Sequence, residues 1–160
     1  MHKNFKNIGM VIVVAVALAG CQSMAQQGSS TNNGTLGTLF PAKSKSAKQM
    51  VSGKKNFREA NYGMAEKDFR KMVKLHPKNA EAWLGLAASY DQLGMFSRSD
   101  RAYKQAIMIV GPKPAILNNQ GYSQMLRGNK KQARKLLKKA AKLDPDNARI
   151  KGNLELLRKV

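Results

Sequence analysis

The chain predicts an all-α solenoid, three helix–turn–helix repeats closed by a C-terminal capping helix. Three observations carry the prediction. Residues recur with a period of 34: Gly53, Ala87 and Gly121 share one column, Ala60, Gly94 and Gly128 a second, and Ala65, Ser99 and Ala133 a third. Phe69, Tyr103 and Leu137 form a fourth, and Pro77, Gly111 and Pro145 a fifth. A period in this range marks stacked supersecondary units, none of which can bury its apolar face alone. The columns also alternate in size, so that small residues let paired helices approach while Phe69, Tyr103 and Leu137 fill the space between repeats. Each period is punctuated as well. Gly94 and Gly128 suit a tight turn, Pro77 and Pro145 break the chain before the next helix, and Asn79 and Asn147 stand where an N-cap belongs. Gly111 departs from its proline column, with Pro112 beside it.

The elements are justified in order from the N-terminus. Lys3 and Lys6 precede an apolar run from Ile8 to Ala19. A helix needs roughly 20 apolar residues to span a bilayer, so this run is short for an anchor and fits the core of an export signal over residues 1–20. It ends in Leu18-Ala19-Gly20-Cys21. Cys21 is the only cysteine, and His76 is the only histidine after it, so neither an internal disulfide nor a Cys/His metal site can form. The use left to Cys21 is covalent. The segment resembles a bacterial lipoprotein signal, which implies lipidation of Cys21; the length of the run argues against an uncleaved anchor, and the Leu-Ala-Gly-Cys match favours lipidation over an unlipidated secretory signal. Gln22, where lipoproteins held in the inner membrane often carry Asp, points by the same resemblance to the outer membrane and a periplasm-facing domain. A covalent lipid on Cys21 is the one non-protein group expected.

Residues 21–45 read as a flexible linker. The string from Gln22 to Gly34 is polar, contains glycine and has no apolar period, so it cannot offset its ordering entropy by burial. A linker of this length spans about 25–30 Å root-mean-square. Leu36, Leu39 and Phe40 interrupt the pattern, as incidental residues or a weak docking segment.

Residues 46–79, 80–113 and 114–147 are the repeats. The middle copy reads Trp83, Leu86, Ala87 and Tyr90, then Ser99 and Tyr103. The first has Ala65, Phe69 and Pro77, and the third has Gly121, Ala133, Leu137 and Pro145. This set resembles the tetratricopeptide repeat, which implies a right-handed solenoid whose first helices line a concave, partner-binding surface. By that resemblance the groove candidates are Met50, Lys54 and Phe57 in repeat one, Glu81, Leu84 and Asp91 in repeat two, and Asn118, Tyr122 and Met125 in repeat three, with Asn119 at the edge. The competing reading has the asparagines capping locally and Tyr122 in the core. Gln120 and Gln124 stand at positions usually apolar, which predicts looser packing there. Residues 148–160 form the cap, with Ile150, Leu154 and Leu157 on one face and Arg149, Lys151, Arg158 and Lys159 mostly on the others.

The chain has 29 basic and 9 acidic residues, a formal charge of +20. Repeat one carries 9 basic against 3 acidic residues, repeat two 4 against 3, and repeat three 8 against 2. In the second helix of repeat three, Ala133, Leu136, Leu137, Ala140 and Ala141 form an apolar stripe. Lys130, Lys131, Arg134, Lys135, Lys138, Lys139 and Lys142 cover the rest. Such a face keeps a small domain soluble or draws it to an anionic surface or partner. The export signal, and the lack of aromatics among these lysines, argue against nucleic acid, leaving anionic lipid and an acidic protein.

No catalytic motif is present: there is no Gly-x-Ser-x-Gly, phosphate-binding loop or His-Glu-x-x-His. No catalytic residue and no metal ligand is assigned. Met50, Met64, Met72, Met95, Met108 and Met125 read as core filler rather than a metal site. His76, before Pro77, reads as a turn residue. The run from Leu117 to Gly128, with Ala133, Asp144-Pro145 and Asn153-Leu154 after it, resembles the TadD family of repeat lipoproteins of Flp (Tight adherence) pilus assembly. Gln120 replaces that family's leucine, and the match covers 117–154. The resemblance implies a non-enzymatic, outer-membrane-anchored adaptor that binds pilus or secretion proteins and aids secretin localisation. The alternatives are a repeat adaptor of another envelope system and a basic binder of anionic lipid or polymer.

Overall fold

The computed structural model describes residues 41–159. The signal, Cys21, and Leu36, Leu39 and Phe40 lie outside the described residues. Seven α-helices follow one another: α1 (Pro41–Arg58), α2 (Tyr62–Leu75), α3 (Ala80–Gln92), α4 (Phe96–Val110), α5 (Pro114–Leu126), α6 (Lys130–Leu143) and α7 (Ala148–Lys159). No helix among the described residues is long and apolar enough to cross a membrane. The pairs α1/α2, α3/α4 and α5/α6 are the three repeats, and α7 packs on α6 and α5 as the cap. The first helix starts at Pro41, five residues ahead of the expected repeat boundary and inside the segment read as linker. Proline suits a first helical turn, where its missing N–H has no intrahelical partner to lose.

The turns follow the punctuation. Asn79 Oδ1 accepts from the Ala82 N–H at 3.0 Å, and Asn147 Oδ1 accepts from the Arg149 N–H at 3.1 Å. Trp83 Nε1 donates to the Pro77 carbonyl at 2.8 Å, tying the repeat-one exit to α3. Gly94 and Gly128 sit at φ +70° and +79°. The first copy of that column places Ala60 in the same left-handed region, at φ +59°. An L-residue with a Cβ costs roughly 1–2 kcal/mol there. Ala60→Gly is therefore expected to raise stability by about 1 kcal/mol, less the extra freedom glycine gains in the unfolded chain, as read by urea denaturation. A fall would show that the turn prefers alanine.

Helix order along the stack defines the two sides of the solenoid. The odd helices touch in succession, α1 to α3, α3 to α5 and α5 to α7, whereas the even helices of neighbouring repeats do not meet. Helices on the inside of a curved stack lie closer together, so α1, α3 and α5 line the concave side and α2, α4 and α6 the convex side.

Packing explains the small columns. A Cβ on Gly53 would lie 3.0 Å from the Phe69 ring, and one on Gly85 only 2.6 Å from it, so Phe69 wedges between α1 and α3. A Cβ on Gly121 would lie 2.7 Å from Leu137 Cγ. One core cluster runs from Met50 to Ile116; two smaller ones join α5, α6 and α7, with Leu154 against both. The apolar-poor α1 is held partly by a polar lock. Asp68 on α2 accepts from Gln49, from Ser52 Oγ at 2.6 Å and from Asn56 Nδ2 at 2.9 Å.

Between repeats two and three the apolar core gives way to a buried polar seam. Asp91 on α3 accepts from Tyr103 Oη at 2.7 Å and from Ser123 Oγ at 2.6 Å, joining α3, α4 and α5. Arg127 approaches the same carboxylate at 3.8 Å. It also grips Asp100 with two N–H donors at 2.8 and 2.6 Å and lies over the Phe96 ring.

Candidate functional site

The concave side holds a notch of about 30 Å³ lined by Lys54 and Phe57 of α1, Phe69 of α2, Glu81, Leu84, Gly85 and Ala88 of α3, and Asn119 of α5. Each side chain arrives there for a local reason. Lys54 and Phe57 are three residues apart on α1, and Glu81, Leu84, Gly85 and Ala88 follow the three- and four-residue spacing of one helix face. Gly85 opens the floor to the Phe69 ring. Lys54 Nζ meets Glu81 Oε1 at 2.6 Å, so the notch's cation is neutralised within the fold. The notch has room for one or two methyl groups, which suits the tip of an apolar side chain.

Five of the ten expected groove residues converge there: Lys54, Phe57, Glu81, Leu84 and Asn119. The others are placed elsewhere. Asp91, 4% exposed, is the acceptor of the buried seam, because Tyr103 and Ser123 supply the hydrogen bonds that its burial requires. Asn118 is buried, and its Oδ1 accepts from Asn153 Nδ2 of α7 at 2.9 Å, so it fastens the cap rather than facing a partner. Met50 is buried in the main core, and Met125 packs against Ala133, Leu137 and Leu157. Tyr122 is half-buried outside the notch. Burial raises its phenol pKa, with a hydrogen bond to Gln92 acting in the opposite direction. Phe69, Gly85 and Ala88 line the notch without having been expected. The four-residue steps from Glu81 to Gly85 and from Leu84 to Ala88 are the signal that identifies two of them.

The second candidate surface is the outer face of α6. Lys130, Lys131, Arg134, Lys135, Lys138, Lys139 and Lys142 are all exposed there. Ala133, Leu137 and Ala140 are fully buried on the opposite side. Among the described residues no cluster of His, Cys, Asp and Glu side chains could hold a metal ion.

Residues 80–109 and 114–147 each match a family model for the tetratricopeptide repeat. No curated protein matches the sequence. Among solved structures, the Arabidopsis OM64 TPR domain superimposes with a TM-score of 0.63 at 21% identity, over 72% of this chain and 96% of its own. The first TPR of Spaghetti (RPAP3) bound to the HSP90 peptide SRMEEVD gives 0.63 at 17%, over 76% and 96%. PilF of Pseudomonas aeruginosa gives 0.62 at 22%, over 72% of this chain and 53% of its own. At these identities the likeness is one of fold.

Proposed function

We propose that this chain, whose residues 80–109 and 114–147 are tetratricopeptide repeats, is a non-enzymatic adaptor that holds a segment of a partner protein on its concave side. The observation carrying this reading is the convergence of Phe57, Leu84, Ala88 and Asn119 from three helices on one notch. The partner it suits anchors by an apolar side chain, with Asn119 positioned to bond the partner's backbone, since an amide both donates and accepts. A strongly acidic segment suits it less. The notch's single cation, Lys54, is already paired with Glu81, α5 carries no charged residue and α3 has no cation. The solved Spaghetti domain holds the peptide SRMEEVD, so the acidic end of that ligand marks the contrast.

The setting we propose is the periplasmic face of the outer membrane, with the chain anchored by a lipid on Cys21 and serving assembly of an Flp (Tight adherence) pilus, including secretin localisation. The lipoprotein-like string ending at Cys21 and the TadD-like run from Leu117 to Gly128 support that setting.

Leu84→Glu tests both parts. A carboxylate there should repel an apolar anchor while leaving the half-exposed position tolerant, so the melting temperature should move little. In the native host, photocrosslinking from position 84 of the wild-type chain is expected to trap a pilus or secretin component, and Leu84→Glu is expected to abolish surface pili. Loss of pili with Cys21→Ala, together with release of the protein from membranes, is the parallel expectation for the anchor. Normal piliation with Leu84→Glu at wild-type protein levels would remove the groove from the mechanism. Crosslinks to an unrelated envelope protein would keep the adaptor and discard the pilus.

A further inference from the structure

We infer that the convex face of α6 is a docking surface for an anionic lipid bilayer, which holds the domain with its groove turned away from the membrane. The inference starts from how charge is distributed among the helices. α6 carries seven basic residues and no acidic one, while α5 has no charged residue and α3 has only Glu81 and Asp91. At 3.6 residues per turn the seven cations fall within an arc of about 180°, over about 18 Å of helix. Elsewhere on the surface five cations are matched, Lys55 with Glu59, Arg70 with Glu66, Arg127 with Asp100, Lys151 with Asp146 and Lys159 with Glu155. Others, such as Lys67, Lys71 and Lys74, have no ion pair among the described residues, but α2 also carries Glu66 and Asp68 and holds fewer cations than the seven of α6. Lys131, Arg134, Lys135, Lys138, Lys139 and Lys142 have no such carboxylate partner among the described residues, and all six are exposed. Charge this concentrated and unmatched needs an external counter-charge that is broad rather than point-like.

A bilayer surface fits that demand better than a peptide. Lys130, Lys131 and Lys135 line a wide-open depression with Gly128, Asn129 and Gln132, and Arg134, Lys138, Lys139 and Lys142 carry the charge along the helix beyond it, with no aromatic residue among them. Lysine dominates, five of the six being lysine, and lysine acts as a point charge rather than as a shape-reading fork. The mode of contact follows from burial. The apolar stripe of α6 is committed to the core through Ala133, Leu137 and Ala140, each 0% exposed, so the helix cannot insert and the contact is with headgroups alone. Such contact is reversible and salt-labile, since it is screened beyond a Debye length of about 8 Å at physiological ionic strength. Orientation follows from topology: α6 is on the convex side, and the notch between α1, α3 and α5 is on the concave side. Docking through α6 leaves the notch open to a partner. The about 20 residues between Cys21 and Pro41 can reach at most about 70 Å when fully extended, so an anchored chain does not by itself hold the domain at the surface; α6 supplies that. The orienting role rests on the anchored-adaptor reading, whereas the lipid affinity does not.

The test uses the full chain carrying Cys21→Ala, so that no acyl group contributes, with vesicles of phosphatidylcholine alone or with one-quarter phosphatidylglycerol. The apolar signal segment binds both kinds, so the readout is the ratio of partition coefficients. At about 1 kcal/mol per basic residue near an anionic surface, Lys131→Glu with Lys135→Glu and Lys138→Glu should lower that ratio by about a hundredfold without changing the melting temperature. High salt should abolish the wild-type preference. The control removes equal charge from α1, with Lys48→Glu, Lys55→Glu and Arg58→Glu, and should retain most of the preference. Equal loss in both variants would mean that net charge, not α6, sets binding, and would overturn the assignment. So would an unchanged ratio in the α6 variant, or absence of any lipid preference while immobilised polyglutamate retains the wild type and releases the variant. That last result would make the face a protein-docking surface. Either failure leaves the groove reading to its own crosslinking test.

Discussion

Leu137→Ala is expected to lower stability by about 2–5 kcal/mol, the range for removing a fully buried leucine where the surroundings collapse only partly. Leu137 is 0% exposed and packs with Ala133 and Leu157, so it joins α6 to the cap as well as to α5. A solenoid stands on nearest-neighbour interfaces, and this loss falls at its C-terminal end. The packing at Gly121 supplies a sharper test. A Cβ there would stand 2.7 Å from Leu137 Cγ, so Gly121→Ala alone should destabilise by overpacking despite the better helix propensity of alanine. Combined with Leu137→Ala, the new methyl enters the vacated space. The double variant should therefore be less destabilised than the sum of the two, with a coupling within the 0.5–3 kcal/mol found for residues in contact. Urea denaturation of the four proteins in the cycle measures it, and simple additivity would contradict the proposed packing.

Asp91→Ala is expected to cost about 3 kcal/mol at neutral pH. The loss leaves two buried hydroxyls, Tyr103 Oη and Ser123 Oγ, without their acceptor, and each unsatisfied group costs about 1–3 kcal/mol. Relief of the buried charge offsets part of this. Adding Tyr103→Phe and Ser123→Ala to the same chain should restore much of the stability, because removing both sides of a buried hydrogen bond is far milder than removing one. No destabilisation by Asp91→Ala would show that the seam contributes nothing. The carboxyl also has a pH signature. Burial raises the Asp91 pKa above its ordinary value of 3.8, opposed by the Ser123 and Tyr103 hydroxyls and by Arg127. A folded value above the unfolded one contributes stability that is full below about pH 3.8 and is lost as pH rises through the folded value. The stability of the wild type relative to Asp91→Asn should therefore decline as pH rises from about 4. A relative gain over that range would mean that Arg127 and the hydroxyls outweigh desolvation.

What the sequence by itself determined is the repeat. Small-against-large columns, an asparagine before α3 and α7 and glycine at the tight turns after α3 and α5 are local or periodic demands, and each is met within a few residues or at a constant offset of 34. Ala60 shows the strength of that pattern, since its turn keeps the left-handed backbone even without glycine. The basic face was equally legible, because an apolar stripe at helical spacing leaves only one side of α6 for its lysines.

The groove was legible only in part, and the tertiary structure decided the rest. A first helix in a solenoid touches its own partner helix and both neighbouring repeats, so more than one of its faces is covered and the open strip is narrow. Helical periodicity separates covered from open when one face is buried; it cannot rank several. Asn118 and Asn119 are chemically identical and about 100° apart on α5, yet Asn118 binds Asn153 in the cap and Asn119 reaches the notch. Asp91 stood among the groove candidates by its place on the first helix of repeat two, yet it is buried. Tyr103, 12 residues away, meets it when α4 folds back on α3, and Ser123, 32 residues away, only when repeat three stacks on repeat two. Which side of a helix faces a partner is set by the angle at which neighbouring repeats pack, and no residue within one repeat encodes that angle alone.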